Sequence, residues 1–455
     1  WKTVLQAHQT DFSSGNVYRN IIEVAVPMIL AQLLNLLYNV VDRIYIGRIP
    51  EVGTTALTGV GLCFPIISLI TAFTYLYGNG GAPLCSMERG KGNDKEAEHL
   101  MGNAFTLLIG TGIVLTIIGL IFYKPILYLF GASDDTFPYA GSYIRIYLLG
   151  TVFVMVSVGM NPFINSQGFG NTGMISVLIG AVLNIILDPI FIFGLSWGTT
   201  GAAIATWLAE ATVCILFIYQ LKQKKILWDD FRLFTKLKKQ YTRHILKIGL
   251  PVAVLNTLFA FVNMFLGRTA TEQGGHLGLM ALTTGGQIEA ITWNTSQGFS
   301  TALSAFVAQN YAARQISRVL KAYRTTLWMT FIFGSFCTFL FICYGNEIFS
   351  IFVPEKAAYE TGGVFLRIDG YSQLFMMLEI TIQGVFYGMG RTMPPAVISV
   401  TCNYLRIPMA LLFVSWGWGL PGIWWSISIT STMKGIICLI WFMLIKKKAL
   451  NYQAV

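Results

Sequence analysis

Charged residues are scarce in this sequence. Of its 455 residues only 11% are Asp, Glu, Lys or Arg, whereas soluble domains contain about 25%. Hydrophobic residues make up 55% of the chain, and the mean hydropathy is +0.62. This composition excludes a soluble enzyme and predicts a polytopic membrane protein.

The motifs of hydrolytic and metal-dependent catalysis are also missing. The four histidines, at positions 8, 99, 244 and 276, lie at or beyond the ends of apolar runs, and no run contains HExxH, paired histidines or GxSxG. Seven cysteines are scattered without a CxxC pair, which argues against a metal site or a disulfide framework. We therefore expect no enzymatic activity and no cofactor.

Apolar runs long enough to span a bilayer recur along the chain, and we count twelve of them. The first covers residues 21–47, the fifth 174–193 and the seventh 248–266. This pattern predicts an all-α protein with twelve transmembrane helices, which places both termini on the same side of the membrane.

The distribution of Lys and Arg predicts which side that is. Residues 222–247 contain nine Lys and Arg, and three lysines stand at 446–448. Segments predicted on the opposite side contain Asp134, Asp135 and Glu347 instead. Because cytoplasmic loops carry the excess of basic residues, both termini are predicted to be cytoplasmic. The net charge of +10 is then a topology signal, and we expect no nucleic-acid partner.

The two halves of the chain repeat each other. Gly168-Phe-Gly-Asn-Thr returns as Gly388-Met-Gly-Arg-Thr, and the pair Asn184 and Pro189 returns as Asn403 and Pro408, at offsets of 219 to 220 residues. Six spans per half would insert the halves in the same orientation, as in transporters with parallel repeats. We predict an N-terminal lobe at 1–221, a basic cytoplasmic linker at 222–247 and a C-terminal lobe at 248–455.

Asp188 is the only charged residue in the fifth apolar run. A carboxylate at membrane depth costs about 2.5–3.5 kcal/mol on insertion scales, so such residues are functional candidates by default. Pro189 follows and frees a backbone carbonyl one turn earlier, and Asn184 lies four residues before, on the same helix face. Asp188 is either a buried acid held by a neighbouring helix or an ion or proton site.

The acids of the first half have no counterparts in the second. Asp188 aligns with Ile407, and Asp42 aligns roughly with Asn263. An acid required by the scaffold is expected in both halves, so this asymmetry favours an ion site in the first lobe. Arg43 adjoins Asp42, and a salt bridge between them would weaken ion binding.

The second lobe has three acids of its own within apolar runs. Glu289 and Glu379 are each either a satisfied buried acid, a cation-attracting group on a cavity wall, or part of a second coupling site. Asp369 lies two residues from Arg367, and we interpret it as a structural or interfacial charge.

Several motifs resemble those of the multidrug and toxic compound extrusion (MATE) family. Pro27, Tyr38-Asn-Val-Val-Asp42 and Gly47 are similar to its first helix, and the segment from Asn184 to Gly194 is similar to its fifth. Gln309-Asn310 with Arg314, and Gly388-Met-Gly-Arg-Thr, also match. The resemblance covers essentially the whole chain and is strongest to the prokaryotic DinF-like branch.

The resemblance implies twelve helices in two lobes around a V-shaped cavity. It also implies export of organic cations or other amphipathic compounds in antiport with Na⁺ or H⁺, by alternating access. Carried over by motif, the coupling site comprises Asp42, Asn184, Asp188 and Thr206, and it is the place where Na⁺ would bind. Tyr38 and Asn161 would support this site or line the cavity.

The implied residues suit both candidate coupling ions. Carboxylate, amide and hydroxyl oxygens are the ligands that hard cations prefer. Without a cation, two nearby carboxylates repel each other, so one of them should hold a proton. The choice between Na⁺ and H⁺ stays open at this point.

The alternative function is a flippase for a lipid-linked saccharide on a related architecture. A flippase is expected to have a basic cavity for the phosphate, whereas the candidate charges here are acidic, which favours cations. We expect small amphipathic substrates and membrane lipids as partners, a monomer, and a location in the cell's inner (plasma) membrane.

Overall fold

The computed structural model describes residues 10–129, 132–223, 237–353 and 355–450, which are almost wholly helical. Within these ranges no β-strand occurs, so the predicted all-α fold is confirmed. The helices of the described residues are α1 (Val17–Gly47), α2 (Gly53–Gly61), α3 (Phe64–Gly90), α4 (Asp94–Leu129), α5 (Phe137–Leu149), α6 (Thr151–Ser166), α7 (Gly170–Pro189), α8 (Gly198–Gln223), α9 (Lys239–Ala312), α10 (Ile316–Phe352), α11 (Lys356–Gly388), α12 (Met393–Ser415) and α13 (Gly419–Leu450).

Nine stretches of helix in the described ranges are long and apolar enough to cross a membrane, or ten if the bent pair α5 and α6 forms one span. Two further stretches, residues 276–312 of α9 and the whole of α11, have sufficient length but more polar sequences. Arg367, Asp369 and Glu379 all lie in α11. The many apolar helices confirm a multi-pass membrane protein, and the number twelve stays a prediction.

Helix breaks lie within the fourth and fifth predicted spans and between the seventh and the eighth. The fourth run consists of α5 and α6, which meet at Gly150 with a bend of 60°. After Pro189 the chain forms a π-helical turn, Ile190–Gly194, in which the N–H of Leu195 donates to the carbonyl oxygen of Ile190 at 2.9 Å. The long helix α9 is interrupted at Gly275, whose φ of 56° lies in the left-handed region that favours glycine.

The described residues form two compact units. The first comprises residues 10–11 and the described part of Leu30–Ala253, and the second comprises Phe12–Ile29 and the described part of Val254–Val455. Helices α1 and α9 are therefore each divided between the units. At the repeat offset of about 220 residues, Phe12–Ile29 corresponds to residues 232–249, so equivalent segments of the two halves are exchanged.

Because of this exchange, the two packing units do not coincide with the predicted lobes, residues 1–221 and 248–455. The division into those lobes stays a prediction that rests on the sequence repeat. Most of the predicted linker, residues 224–236, lies outside the described residues.

In the first unit, the beginning of α9 packs directly on α3 through glycines. A Cβ atom at Gly249 would overlap the carbonyl oxygen of Leu76, and one at Gly80 would lie 2.5 Å from the carbonyl oxygen of Ile245. Small residues permit such close backbone approach between membrane helices. Glycine at these two positions therefore fixes α9 against α3.

In the second unit, the segment before α1 is anchored to α9 and α10. Phe12 is buried against Phe306, with ring centroids 5.6 Å apart. The Arg318 guanidinium donates to the carbonyl oxygens of Phe12 at 2.9 Å, Ser14 at 2.8 Å and Gly15 at 3.0 Å. These contacts hold the N-terminal end of α1 in the second unit.

Candidate ion-coupling site

Five helices of the first unit each carry two polar side chains four residues apart. Residues at this spacing share one face of a helix. We call these ten residues the first-unit polar cluster: Tyr38 and Asp42 of α1, Tyr143 and Tyr147 of α5, Ser157 and Asn161 of α6, Asn184 and Asp188 of α7, and Thr206 and Glu210 of α8.

Asn184 joins Asp188 to Thr206. The side chains of Asp188 and Asn184 are buried, with residue exposures of 0% and 1%. The Asn184 amide nitrogen lies 3.4 Å from Asp188 Oδ1 and 3.3 Å from Thr206 Oγ1. With the amide reversed, it would donate to Asp188 Oδ2 and accept from the Thr206 backbone N–H, both at 3.3 Å. Three of the four predicted coupling residues therefore contact one another across α7 and α8.

The fourth residue, Asp42, lies close enough to Asp188 for a direct Coulombic interaction. Its Oδ1 atom is buried and has no hydrogen-bond partner in the described part of the chain. Arg43 is exposed, and the ion pairs found among the described residues do not include one between Arg43 and Asp42. A buried oxygen without a partner is costly, so Asp42 retains an acceptor for a proton or a metal cation.

The two residues predicted to support this site, Tyr38 and Asn161, have different neighbours in the structure. Tyr38 lies within Coulombic range of both Asp42 and Glu210, which places it beside the acids. Asn161 accepts a hydrogen bond from Asn165, four residues later in α6. Tyr38 thus belongs to the acidic part of the cluster, whereas the hydrogen bond between Asn165 and Asn161 joins two residues of the same helix, α6.

Glu210 was missed by the sequence reasoning. It lies in the sixth apolar run, one turn after Thr206, and its Oε2 accepts a hydrogen bond from the Ser157 hydroxyl of α6. The spacing from Thr206 is the signal that identifies it, because positions i and i+4 share a helix face. Among its described residues, the first unit therefore contains three acids within apolar runs, not the two that were predicted.

In the second unit, Glu379 is an ion-paired acid. Its Oε2 lies 3.3 Å from Lys434 Nζ, and both side chains are at least nine-tenths buried. Its Oε1 accepts hydrogen bonds from Ser399 Oγ and Gln383 Nε2, each at 2.8 Å. This is the geometry of a satisfied buried acid, and it joins α11 to α12 and α13.

Asp369 is 2% exposed, which fits the structural interpretation. Gln373 Nε2 donates to Asp369 Oδ2, and Gln373 Oε1 accepts from Thr292 Oγ1 at 2.7 Å. Glu289 lies within Coulombic range of both Asp369 and Arg406. Glu289 and Asp369 are therefore neighbours in one buried polar network.

Arg406 and Lys434 lie inside apolar runs and were also missed. Arg406 is 4% exposed and donates to Thr430 Oγ1 at 2.9 Å and to Ser431 Oγ at 2.8 Å. Both cations have acids within Coulombic range in the same unit. The basic groups of the second unit are thus compensated internally, unlike the open basic cavity that a phosphate head would need.

Comparison with known families gives one decisive result. The family model described as MatE matches residues 27–190 and, a second time, residues 248–412. The chain belongs to the MATE family. Because one model matches both halves, the internal repeat of this MATE transporter is confirmed, together with its fold class.

Named relatives agree with this assignment. The chain is 26% identical over 416 residues to "Probable multidrug resistance protein YoeA" of Bacillus subtilis (strain 168), covering 88% of each sequence. It is 22% identical over 435 residues to "Multidrug export protein MepA" of Staphylococcus aureus (strain N315), covering 94% of each.

A solved structure shows the same fold at full length. It is titled "Outward-facing conformation of a multidrug resistance MATE family transporter of the MOP superfamily", and it superposes with a TM-score of 0.90 at 23% identity. The superposition covers 97% of this chain and 98% of that one. Membership of the MATE family makes the protein a membrane transporter of small molecules and not an enzyme, and the saccharide flippase is not favoured.

Proposed function

We propose that this MATE transporter exports organic cations and other amphipathic small molecules in antiport with Na⁺ or H⁺, by alternating access. Asp42, Asn184, Asp188 and Thr206 hold the coupling ion in the first unit. The observation that carries the proposal is the buried, unpartnered Oδ1 of Asp42 beside the buried carboxyl group of Asp188.

The four side chains suit either ion. Two carboxylates, an amide and a hydroxyl provide oxygen atoms of the kind that hard cations prefer. The Asn184 side chain lies between Asp188 and Thr206, and its amide offers both a donor nitrogen and an acceptor oxygen. The same residues therefore accommodate a proton on a carboxyl group or a metal cation between the oxygens.

Antiport follows from competition for the same negative charge. A cationic substrate is attracted to the first unit when its carboxylates are ionised and empty, and it is repelled once an ion neutralises them. A transporter that opens to each side in turn then exchanges one cation for the other, because the loaded and empty forms prefer different partners.

The orientation proposed for the chain puts both termini in the cytoplasm, and the protein acts as a monomer in the cell's inner (plasma) membrane, in contact with its lipids. The Lys and Arg distribution supports this orientation. Substrates then leave the cytoplasm while the coupling ion enters.

The experiment is gradient-driven efflux of a cationic dye in everted membrane vesicles, with a Na⁺ gradient at constant pH and a pH gradient at constant Na⁺. Asp42→Asn and Asp188→Asn should each abolish coupled transport by folded protein, because either change removes half of the shared charge. The double variant should lose no more than the singles, since neighbouring sites are not additive.

The matched control is Glu272→Gln, which neutralises an exposed acid paired with Arg268 and should leave efflux unchanged. Near-normal coupled transport by Asp188→Asn would end the proposal. Two partial losses that multiply in the double variant would mean that the aspartates act separately.

A further inference from the structure

Glu210 stands in the middle of α8. It is the thirteenth residue of Gly198–Gln223, about 18 Å from the beginning of the helix at about 1.5 Å per residue. An acid at this depth is expensive and normally faces a bundle interior, where it marks a proton or ion path. The four coupling residues proposed above do not include it.

Oxygen and sulfur groups surround this carboxyl group. Ser157 of α6 donates its hydroxyl proton to Glu210 Oε2. The Tyr38 hydroxyl of α1, the Tyr147 hydroxyl of α5 and the Cys214 thiol of α8 lie within Coulombic range. The Glu210 charge therefore has hydroxyl neighbours from three other helices.

No basic residue pairs with Glu210 among the described residues. Of the helices packed on α8, α5 contributes Tyr147, α6 contributes Ser157, and the nearest acid on α7 is Asp188, while the π-helical turn has no titratable residue. Glu210 is half-buried, and its ionised carboxylate would have no compensating cation among these residues, which is unfavourable. Its positive partner must come from solution.

The repeat shows that the fold does not require this acid. At offsets of 219 to 221 residues the position of Glu210 is taken by Ile429, Thr430 or Ser431, none of which is an acid, and the hydroxyls of Thr430 and Ser431 accept from the guanidinium of Arg406. The second unit thus has a hydroxyl and a permanent cation where the first has a carboxyl group and none. Glu210 follows the same one-sided pattern as Asp42 and Asp188.

Tyr38 lies near both Glu210 and the coupling site. Its side chain is within Coulombic range of both Glu210 and Asp42, which is itself in range of Asp188. The charge state of each of these acids therefore affects the others.

We propose that Glu210 is an additional proton-binding residue of the coupling reaction, linked electrostatically to Asp42 and Asp188. Each cycle takes up one proton on the Glu210 carboxylate and releases it on the other side, in addition to the ion at the aspartates. This inference rests on the proposed antiport, and it predicts one more proton per substrate than the aspartate site alone carries.

The test measures the steady-state accumulation of a cationic dye in everted vesicles against the imposed pH difference, at equal Na⁺ on both sides. The slope of the logarithm of accumulation against the pH difference reports protons moved per substrate. Glu210→Gln should lower this slope by one proton per substrate. The transport that remains should be driven by the Na⁺ or H⁺ that binds at the two aspartates. Glu272→Gln, which neutralises the exposed partner of Arg268 outside the cluster, should keep the wild-type slope.

Infrared spectroscopy of the purified protein gives a second readout that does not depend on transport. The C=O stretching band of protonated carboxyl groups should be present in the wild type and in Asp188→Asn, and it should disappear at high pH. In Glu210→Gln the component of this band that comes from Glu210 should be missing. An unchanged slope and an unchanged band in Glu210→Gln would overturn this inference alone. Normal coupling in Asp188→Asn would instead overturn the proposed aspartate site. If Glu210→Gln does not fold, the conservative variant Glu210→Asp is used, and it should show both the carboxyl band and the wild-type slope.

Discussion

At the scale of single residues, the two units tolerate buried acids in different ways. Glu379 is compensated by Lys434 at 3.3 Å, and Ser399 and Gln383 supply hydrogen bonds to its other oxygen. Asp188 has Asn184 as its hydrogen-bonding neighbour, a neutral amide. Glu379 thus has a cation of the protein beside it, whereas Asp188 forms no ion pair with a basic residue in the described part of the chain.

This difference predicts the effect of breaking the buried ion pair. Lys434→Met should lower the free energy of unfolding by about 3–5 kcal/mol, because it leaves the Glu379 carboxylate buried without its cation. Adding Glu379→Gln should restore much of the loss, since a neutral amide needs no counter-charge. Thermal unfolding of the purified protein measures both effects.

The control is Lys356→Met, which removes the exposed partner of Glu360 at 3.9 Å; exposed pairs contribute at most about 1 kcal/mol. If Lys434→Met melts at the wild-type temperature, the ion pair does not stabilise the second unit.

Residue chemistry also explains which site residues the sequence could predict. Asp188 and Asn184 stand out because they interrupt an apolar run beside a proline, and the structure places them with Thr206. Glu210, Arg406 and Lys434 were overlooked because one charge hardly changes the hydropathy of a long run. Their partners are distant in sequence, so compensation cannot be read from a single chain.

At the scale of helices, Pro189 predicted a loosened helix end but not its form. The π-helical turn Ile190–Gly194 follows the proline directly, and such turns are frequent at functional sites. The bend at Gly150 could not be predicted because its cause lies elsewhere in the chain. A Cβ atom there would overlap the indole of Trp207 in α8.

The close packing of α9 on α3 gives a prediction at this scale. Gly249→Ala should destabilise the protein by about 1–3 kcal/mol, because the added methyl group overlaps the backbone oxygen of Leu76 and neither helix can yield without repacking. Gly286→Ala lies in the same helix with open space at its Cβ position, and it should be neutral or stabilising. Comparing the melting temperatures of the two variants tests the contact, and equal values would contradict it.

At the scale of the whole molecule, the repeated motifs and the apolar runs predicted the all-α duplicated fold. The number of spans was harder to establish, because α11 combines sufficient length with buried charges that lower its hydropathy. Helices of this kind are stable in a membrane only when the protein itself surrounds their polar face. Such shielding depends on tertiary packing, which the local pattern does not contain.

The predicted topology can be tested at the two ends of α4. In a background with the exposed Cys343 replaced, Asp135→Cys should react with a membrane-impermeant maleimide in intact cells. Asn93→Cys should react only after permeabilisation, because residues 88–99 are predicted to be cytoplasmic. Labelling in the reverse order would invert the topology, and labelling of both from outside would mean that α4 does not span the membrane.

The division of α1 and α9 between the two units has a consequence for the history of the gene. Equivalent leading segments of the two halves are exchanged, so neither half by itself contains all the residues of one packed unit. Before duplication and fusion, the ancestral half-length chain would have completed its fold only by trading that segment with a second, identical copy. A single polypeptide that contains both halves supplies each unit with its exchanged segment from within the same chain, while the two halves carry different acids.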